Sequence, residues 1–256
     1  MKIMKTIEAI IPPPPPHMVG DGFRVHNFFP TSGLIDNRRM SPFFLLDYGS
    51  KIEFSPTPHQ RGVGVHPHAG FETVTLAYHG KVAHHDSAGN AGVIGEGDVQ
   101  WMTAGSGLLH KEYHEENFSK SGGLFQMVQL WVNLPAKYKK TKPKYQDLKK
   151  ELQGRYLLPD GLGEVAVIAG EFKGTKGAAY TFSPMQVYNL KLKKGANLEL
   201  SFPKTDNTGM LMIEGEAKVN DETAKTDHFV LFNHDGDVIQ VTATEDAAML
   251  ILSGEP

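Results

Sequence analysis

Short runs of β-branched and aromatic residues, separated by turns rich in Gly, Pro, Asn and Asp, recur along the whole chain. Turn signals stand between several of them, for example at residues 87–90, 96–98 and 235–237. Many short strands at this spacing predict an all-β fold of the barrel or double-sheet jelly-roll type. The runs predicted as strands are Phe71–His79, Val99–Thr103, Phe125–Val132, Val165–Ala169, Gln186–Leu192, Asn197–Phe202, Met210–Ile213, Phe229–Phe232, Val238–Thr242 and Ala248–Leu252.

A lysine-rich segment divides the chain into halves of similar length. Residues 137–150 hold seven lysines and one acid and show no hydrophobic period, which is typical of a solvated connector. We therefore predict an N-terminal domain over residues 1–136, a linker over 137–153 and a C-terminal domain over 154–256.

Charge and composition narrow the choice of partners. The 256 residues carry 26 Lys and Arg against 29 Asp and Glu, which leaves a net charge of −3 without the positive field that nucleic-acid binding needs. The chain has no Cys, so any metal must be held by His, Asp and Glu. Its first apolar stretch is short, contains Glu8 and runs into five prolines, so we expect a cytoplasmic protein without a membrane partner.

Histidines are concentrated in the first half, where eight of the twelve fall between residues 59 and 114. His66 and His68 stand two apart beside a β-rich run, and strand side chains two apart share a face. His110 and Glu112 repeat this spacing, so two such strands side by side would bring three imidazoles and a carboxylate together. A lone HxH pair more often decorates a surface strand, but the second pair favours a metal site.

The motif HPHAGFE also places Glu72 four residues after His68, in the HxHxxxE arrangement of cupin barrels. Because both Glu72 and Glu112 could point inward, spacing alone does not choose the carboxylate ligand.

Several stretches of the first half resemble the pirin family, a group with two cupin domains. They include SPFFLLDY (41–48), RGVGVHPHAGFETVT (61–75), DSAGNAGVIGEGDVQWMTAGSGLLHKEYH (86–114) and MVQLWVNLP (127–135). The second half is similar mainly in layout. The resemblance implies two tandem cupin (jelly-roll β-barrel) domains, with a non-haem iron site in the first and no metal in the second. It puts the metal ligands at His66, His68, His110 and Glu112.

The resemblance also implies quercetin 2,3-dioxygenase-like activity, in which a flavonol ring is opened with O2 and Glu112 takes the proton of the 3-hydroxyl. The expected cofactor is a divalent metal, iron(II) by resemblance, although Mn, Ni, Cu and Zn suit the same nitrogen and oxygen donors. The expected partners are a small aromatic substrate and O2. An apolar slot for the aromatic substrate could be formed by Trp101, Met102, Phe125, Met127 and Trp131. Gln129 lies on the same strand face as the last three of these residues.

The same family includes proteins regarded as redox-responsive partners of other proteins. The alternative hypothesis is therefore an iron-carrying regulatory protein that acts through a protein partner without turnover. A zinc cupin that isomerises sugars is supported only by the shared barrel architecture.

Overall fold

The computed structural model describes residues 2–36 and 38–256. Strands hold 56% of the chain and helices 4%, which confirms the predicted all-β class. The first twelve strands are β1 (Ile7–Ile11), β2 (His17–Val19), β3 (Phe23–Phe29), β4 (Phe43–Phe54), β5 (Gly62–His68), β6 (Phe71–His79), β7 (Val82–Asp86), β8 (Ala91–Ile94), β9 (Val99–Thr103), β10 (Leu108–His114), β11 (Gly123–Asn133) and β12 (Lys144–Leu148). The other twelve are β13 (Gly154–Leu157), β14 (Gly163–Ala169), β15 (Glu171–Phe172), β16 (Thr175–Lys176), β17 (Met185–Leu192), β18 (Asn197–Ser201), β19 (Asn207–Glu214), β20 (Glu216–Val219), β21 (Glu222–Lys225), β22 (Phe229–Phe232), β23 (Val238–Ala243) and β24 (Ala247–Gly254).

Each of the ten predicted strands is present, within a few residues at its ends. The helical part of the described chain is α1 (Glu116–Ser121) and a 3-10 helix at Ala136–Tyr138. In residues 2–36 and 38–256, no helix has the length and apolar character needed to span a bilayer.

The described residues form two compact units. The N-terminal cupin domain consists of residues 14–36 and 43–152, and the C-terminal cupin domain consists of residues 2–13, 38–42 and 153–256. Each has the two-sheet jelly-roll architecture that the sequence predicts.

Two sheets build the N-terminal cupin domain. The larger has seven strands in the order β12-β9-β6-β11-β4-β3-β2, and the smaller has four in the order β5-β10-β7-β8. Apolar side chains of both sheets pack against one another in a core cluster, since burial of apolar surface is the main stabilising term in folding. The buried members of this core are Phe23, Val25, Ala77, Val82, Ile94, Phe118, Phe125 and Met127.

The C-terminal cupin domain repeats the layout with a seven-stranded sheet, β1-β22-β19-β24-β17-β14-β13, and a four-stranded sheet, β18-β23-β20-β21. Its edge strand β1 comes from the start of the chain and pairs antiparallel with β22. The interior is a large apolar cluster that includes Phe202, Met212, Phe232 and Met249.

The units differ from the predicted division at both ends of the first domain. Residues 2–13 and 38–42 belong to the C-terminal domain, because β1 completes its sheet. The segment predicted as a linker over 137–153 contains β12, which pairs with β9 at the edge of the larger N-terminal sheet. Exposed edge strands commonly carry lysines, which block further strand pairing and also make such a strand look like a connector in sequence.

Candidate metal centre

Two neighbouring strands position the candidate metal ligands. His66 and His68 lie on β5, His110 and Glu112 lie on β10, and these antiparallel strands place His110 directly opposite His66. The register shifts between His110 and Glu112, where β5 carries an extra residue and Glu112 pairs with Val63. The two i, i+2 pairs that the sequence indicates therefore meet on adjacent strands.

The three imidazoles converge. The ring centroids of His66, His68 and His110 lie 4.4–4.8 Å apart. Their ligand atoms all fall within 4.8 Å of one another, an arrangement that could hold a metal ion. The Nε2 atoms of His66 and His110 are 2.9 Å apart.

Hydrogen bonds determine which ring nitrogens of these histidines are available to a cation. Nδ1 of His66 lies 2.8 Å from the carbonyl oxygen of Gly64, and a carbonyl only accepts, so Nδ1 carries a proton and Nε2 is the nitrogen that faces the other rings. Among the described residues, Nδ1 of His110 is buried without a hydrogen-bond partner. Two imidazoles with their Nε2 atoms this close share only one proton between them, and a divalent cation would satisfy both lone pairs. The donor set therefore fits a metal ion.

Burial keeps the rings uncharged. His68 is 7% exposed and His110 is 1% exposed. Burial, and then the neighbouring His110 and His66, lower the pKa of His68 to about 4. Burial, followed by His66, lowers the pKa of His110 to about 3. Both rings are consequently neutral near pH 7, which is the form that ligates metals.

Glu112 lies beside this triad but outside the group of converging ligand atoms. Its carboxylate is buried and accepts two hydrogen bonds, from Thr75 Oγ1 to Oε1 at 3.2 Å and from Gln129 Nε2 to Oε2 at 2.8 Å. Both donors belong to the facing sheet, on β6 and β11. The structure therefore brings the three predicted histidines together and holds the predicted carboxylate at their edge.

Glu72, the competing carboxylate, has different surroundings. It is three residues from Thr75 on β6, and strand side chains alternate, so Glu72 points to the opposite face of the sheet from the one that contacts Glu112. Its Oε1 accepts a hydrogen bond from Thr103 Oγ1 at 2.7 Å, and the whole side chain is buried.

A cavity of about 450 Å³ opens beside the triad. Its walls are mostly apolar, with Asp47, Glu112 and Gln129 as the acidic and amide groups. The lining residues are Val19, Phe23, Val25, Leu45, Asp47, Val63, His66, Pro67, His68, Ala69, Phe71, Glu112, Met127, Gln129 and Trp131.

Of the aromatic and Met residues that the sequence offers for a substrate slot, Met127 and Trp131 line this cavity. Trp101, Met102 and Phe125 are buried in the barrel instead. Sequence reasoning did not single out Asp47 or Thr75, and it gave Gln129 no role beyond its shared face. The available signal was a polar residue within an otherwise apolar strand, as in FFLLDY, where Asp47 is the one charged residue.

Two tandem jelly-roll domains with a histidine cluster in the first define this chain as a bicupin. It belongs to the pirin family: the family model described as Pirin matches residues 22–132, and the model described as Pirin C-terminal cupin domain matches residues 187–256.

Relatives and solved structures agree with this membership. The chain is 47% identical over 240 residues to a Pseudomonas aeruginosa protein named "Putative quercetin 2,3-dioxygenase", covering 94% of this chain and 83% of the relative. It is 36% identical over 229 residues to Pirin-1 of Arabidopsis thaliana, covering 87% and 75%. The crystal structure of quercetin 2,3-dioxygenase from Acinetobacter baumannii is 45% identical and superimposes with a TM-score of 0.93, over 99% of this chain and 88% of that one.

Proposed function

We propose that this protein is a metal-dependent dioxygenase that opens the ring of a quercetin-like flavonol with O2. The observation that carries the proposal is three converging imidazoles at the wall of an apolar cavity that also contains the carboxylate of Glu112. The names of the relatives from Pseudomonas aeruginosa and Acinetobacter baumannii support the same reaction class.

His66, His68 and His110 would hold the metal, with Glu112 as the fourth ligand. Three neutral imidazoles and one carboxylate leave a divalent ion with a net charge of +1 and suit Fe, Mn, Ni, Cu or Zn, of which family resemblance favours iron(II). When bound, the metal supplies Lewis-acid polarisation of the substrate oxygen and a centre at which O2 can react.

Glu112 is the proposed proton acceptor for the flavonol 3-hydroxyl. The O–H bond of the substrate breaks and its proton moves to a Glu112 oxygen, leaving the electron pair on the substrate oxygen. Thr75 and Gln129 hold the carboxylate from the facing sheet, so its position does not depend on the substrate. Each carboxylate oxygen has more than one lone pair, and these hydrogen bonds leave capacity for the incoming proton.

The cavity walls would orient a flat ring system and exclude water. Phe23, Val25 and Met127 provide apolar surface, and Trp131 stands edge-on to His68 with ring centroids 5.3 Å apart. Burying an aromatic ligand against such walls gives most of the binding free energy, while a few polar groups set its orientation.

The test is O2 uptake with quercetin, measured with an oxygen electrode on protein of known metal content. We expect His66→Ala to lose bound metal and activity together, and Glu112→Gln to lose at least a hundredfold in turnover, within the usual range for a general base. His59→Ala serves as the matched control, because His59 is exposed and outside the cavity.

Turnover at the wild-type rate in both site variants would reject the proposal. Metal-loaded wild-type protein without O2 uptake on any flavonol would also reject it and would favour the redox-responsive regulatory alternative.

A further inference from the structure

A row of polar side chains crosses the larger sheet of the N-terminal cupin domain. Residues directly opposite each other on paired strands point to the same face, so the whole row faces the interior that contains Glu112. In the order of the strands β3, β4, β11, β6 and β9, the row is Asn27, Asp47, Gln129, Thr75 and Gln100.

Asp47 is a member of this row that the proposed chemistry does not use. It is 8% exposed, and its Oδ1 accepts a hydrogen bond from Asn27 Nδ2 at 2.7 Å. The orientation of Asn27 is set in turn, because its Oδ1 accepts from the backbone N–H of Thr31 at 2.7 Å and from the Thr31 hydroxyl. Asn27 therefore always presents its amide N–H to Asp47.

The second oxygen of Asp47 has no hydrogen-bond donor among the described residues, and Asp47 lines the same cavity as His66, His68 and Glu112. A carboxylate oxygen that faces the cavity without a protein donor has lone pairs free to accept a hydrogen bond from a ligand O–H. Burial also raises the pKa of Asp47, opposed by the Asn27 hydrogen bond.

Building on the proposed function, we propose that Asp47 recognises a ring hydroxyl of the flavonol that is remote from the reacting 3-hydroxyl. Asp47 lies one strand beyond Gln129, which holds Glu112, and neighbouring strands are about 4.8 Å apart. The two carboxylates thus address hydroxyls at different parts of one flat molecule. The substrate class is a polyhydroxylated flavonol, not an apolar flavonol with a single hydroxyl.

The test compares two ligands by isothermal titration calorimetry without O2, on metal-loaded protein. Quercetin carries further ring hydroxyls, and 3-hydroxyflavone carries only the reacting one. Asp47→Asn keeps the side-chain shape and an acceptor for Asn27. We expect it to raise Kd for quercetin about tenfold or more, as loss of a hydrogen bond to a charged group does, and to change Kd for 3-hydroxyflavone less than about twofold.

The matched control is Glu53→Gln, the same carboxylate-to-amide change at an exposed position of β4. We expect it to leave both Kd values unchanged. Metal content and melting temperature of Asp47→Asn are measured alongside, and we expect both at wild-type level.

A Kd that Asp47→Asn raises equally for both ligands, or for neither, would overturn the role of Asp47. Binding of quercetin by wild-type protein without later O2 uptake would reject the proposed function and still leave the Asp47 comparison decisive. Failure of wild-type protein to bind either flavonol would reject both.

Discussion

At the level of single residues, two buried glutamates of the N-terminal cupin domain differ in what surrounds them. Glu112 has donors on both carboxylate oxygens and lies beside the triad, whereas Glu72 is fully buried on the opposite face of the sheet and accepts a hydrogen bond from Thr103. Burial of a carboxyl group away from water favours its protonated form. Glu72 is therefore suited to a neutral structural role, whereas Glu112 lines the cavity where the proposed proton transfer would occur.

Glu72→Gln tests this difference through pH. Burial raises the pKa of Glu72 to about 7, against the opposing hydrogen bonds from Thr103 and Trp101. The folded protein then holds this proton more tightly than the unfolded chain. The resulting stability is full below about pH 4.5 and is lost as pH rises through about 7.

Gln keeps an acceptor for Thr103 and carries no charge. We expect the free energy of unfolding of the variant to exceed that of wild type by on the order of 3 kcal/mol near pH 8 and to match it near pH 4.5. Urea unfolding at both pH values measures the difference, and elemental analysis checks that metal content is unchanged. A difference independent of pH, or loss of metal, would contradict this account of Glu72.

At the level of elements, close approach of β5 and β10 is what brings the triad together. Gly62 makes this approach possible, because a Cβ at this position would overlap the Glu112 carbonyl oxygen and Tyr113 Cα on β10. Gly64 lies on the same strand, and a Cβ there would meet open space. The two glycines thus form a matched pair for testing whether the close spacing of β5 and β10 is needed at the site.

We expect Gly62→Ala to lower the free energy of unfolding by about 1 to 3 kcal/mol, as overpacking does, and to reduce metal uptake because His110 moves away from His66. Gly64→Ala should change the free energy of unfolding and the metal uptake only slightly. Thermal melting measures the change in stability, and metal titration measures the uptake. Equal effects of the two substitutions would show that the spacing of the strands does not limit the site.

The strands and helix α1 differ in how well the sequence predicts them. Strands such as β6 and β9 are β-rich runs with clear turn signals, and their predicted bounds agree with the structure. Helix α1 was missed because its six residues have little intrinsic signal. Its support is a local cap, in which Glu115 accepts from the N–H groups of Asn117 and Phe118, and the packing of Phe118 on Phe125 of β11.

The candidate site was predictable in part for the same physical reason. Its histidines follow a period of two, which sequence displays directly. The roles of Thr75, Gln129 and Asp47 depend instead on cross-strand register between segments that are distant in sequence, and no local pattern records that register.

At the level of the whole molecule, the C-terminal cupin domain is assembled from three separate stretches of chain. Lys5, fully buried, donates from Nζ to the carbonyl oxygens of Asn233 at 3.1 Å and Lys204 at 3.3 Å. Burial lowers the pKa of this lysine. Lys5 and the residues around it are therefore an integral part of the C-terminal cupin domain.

Arg39 links three strands of this domain, and replacing it tests whether such side-chain links hold β1 in place. Its guanidinium donates to Glu8 on β1, to Asn207 on β19 and to the carbonyl oxygen of Phe232 on β22. Because Ala leaves these acceptors without their donor, we expect Arg39→Ala to lower the local stability of β1 and β22 by about 2 to 3 kcal/mol. The local stability of Arg39→Lys should lie between those of wild type and Arg39→Ala, since Lys keeps the charge but lacks the planar guanidinium group.

Hydrogen exchange of peptides covering β1 and β22, followed by mass spectrometry, reports this local stability, because strands with weaker anchoring open and exchange more often. Lys2→Ala is the control: Lys2 also pairs with an acid of this domain, Glu199, but both side chains are largely exposed, and such pairs contribute little. Unchanged protection of β1 in Arg39→Ala would mean that strand pairing with β22 alone retains the first strand. In that case the backbone hydrogen bonds between β1 and β22 would be enough to hold β1 in the sheet, and the Arg39 side chain would not be needed for it.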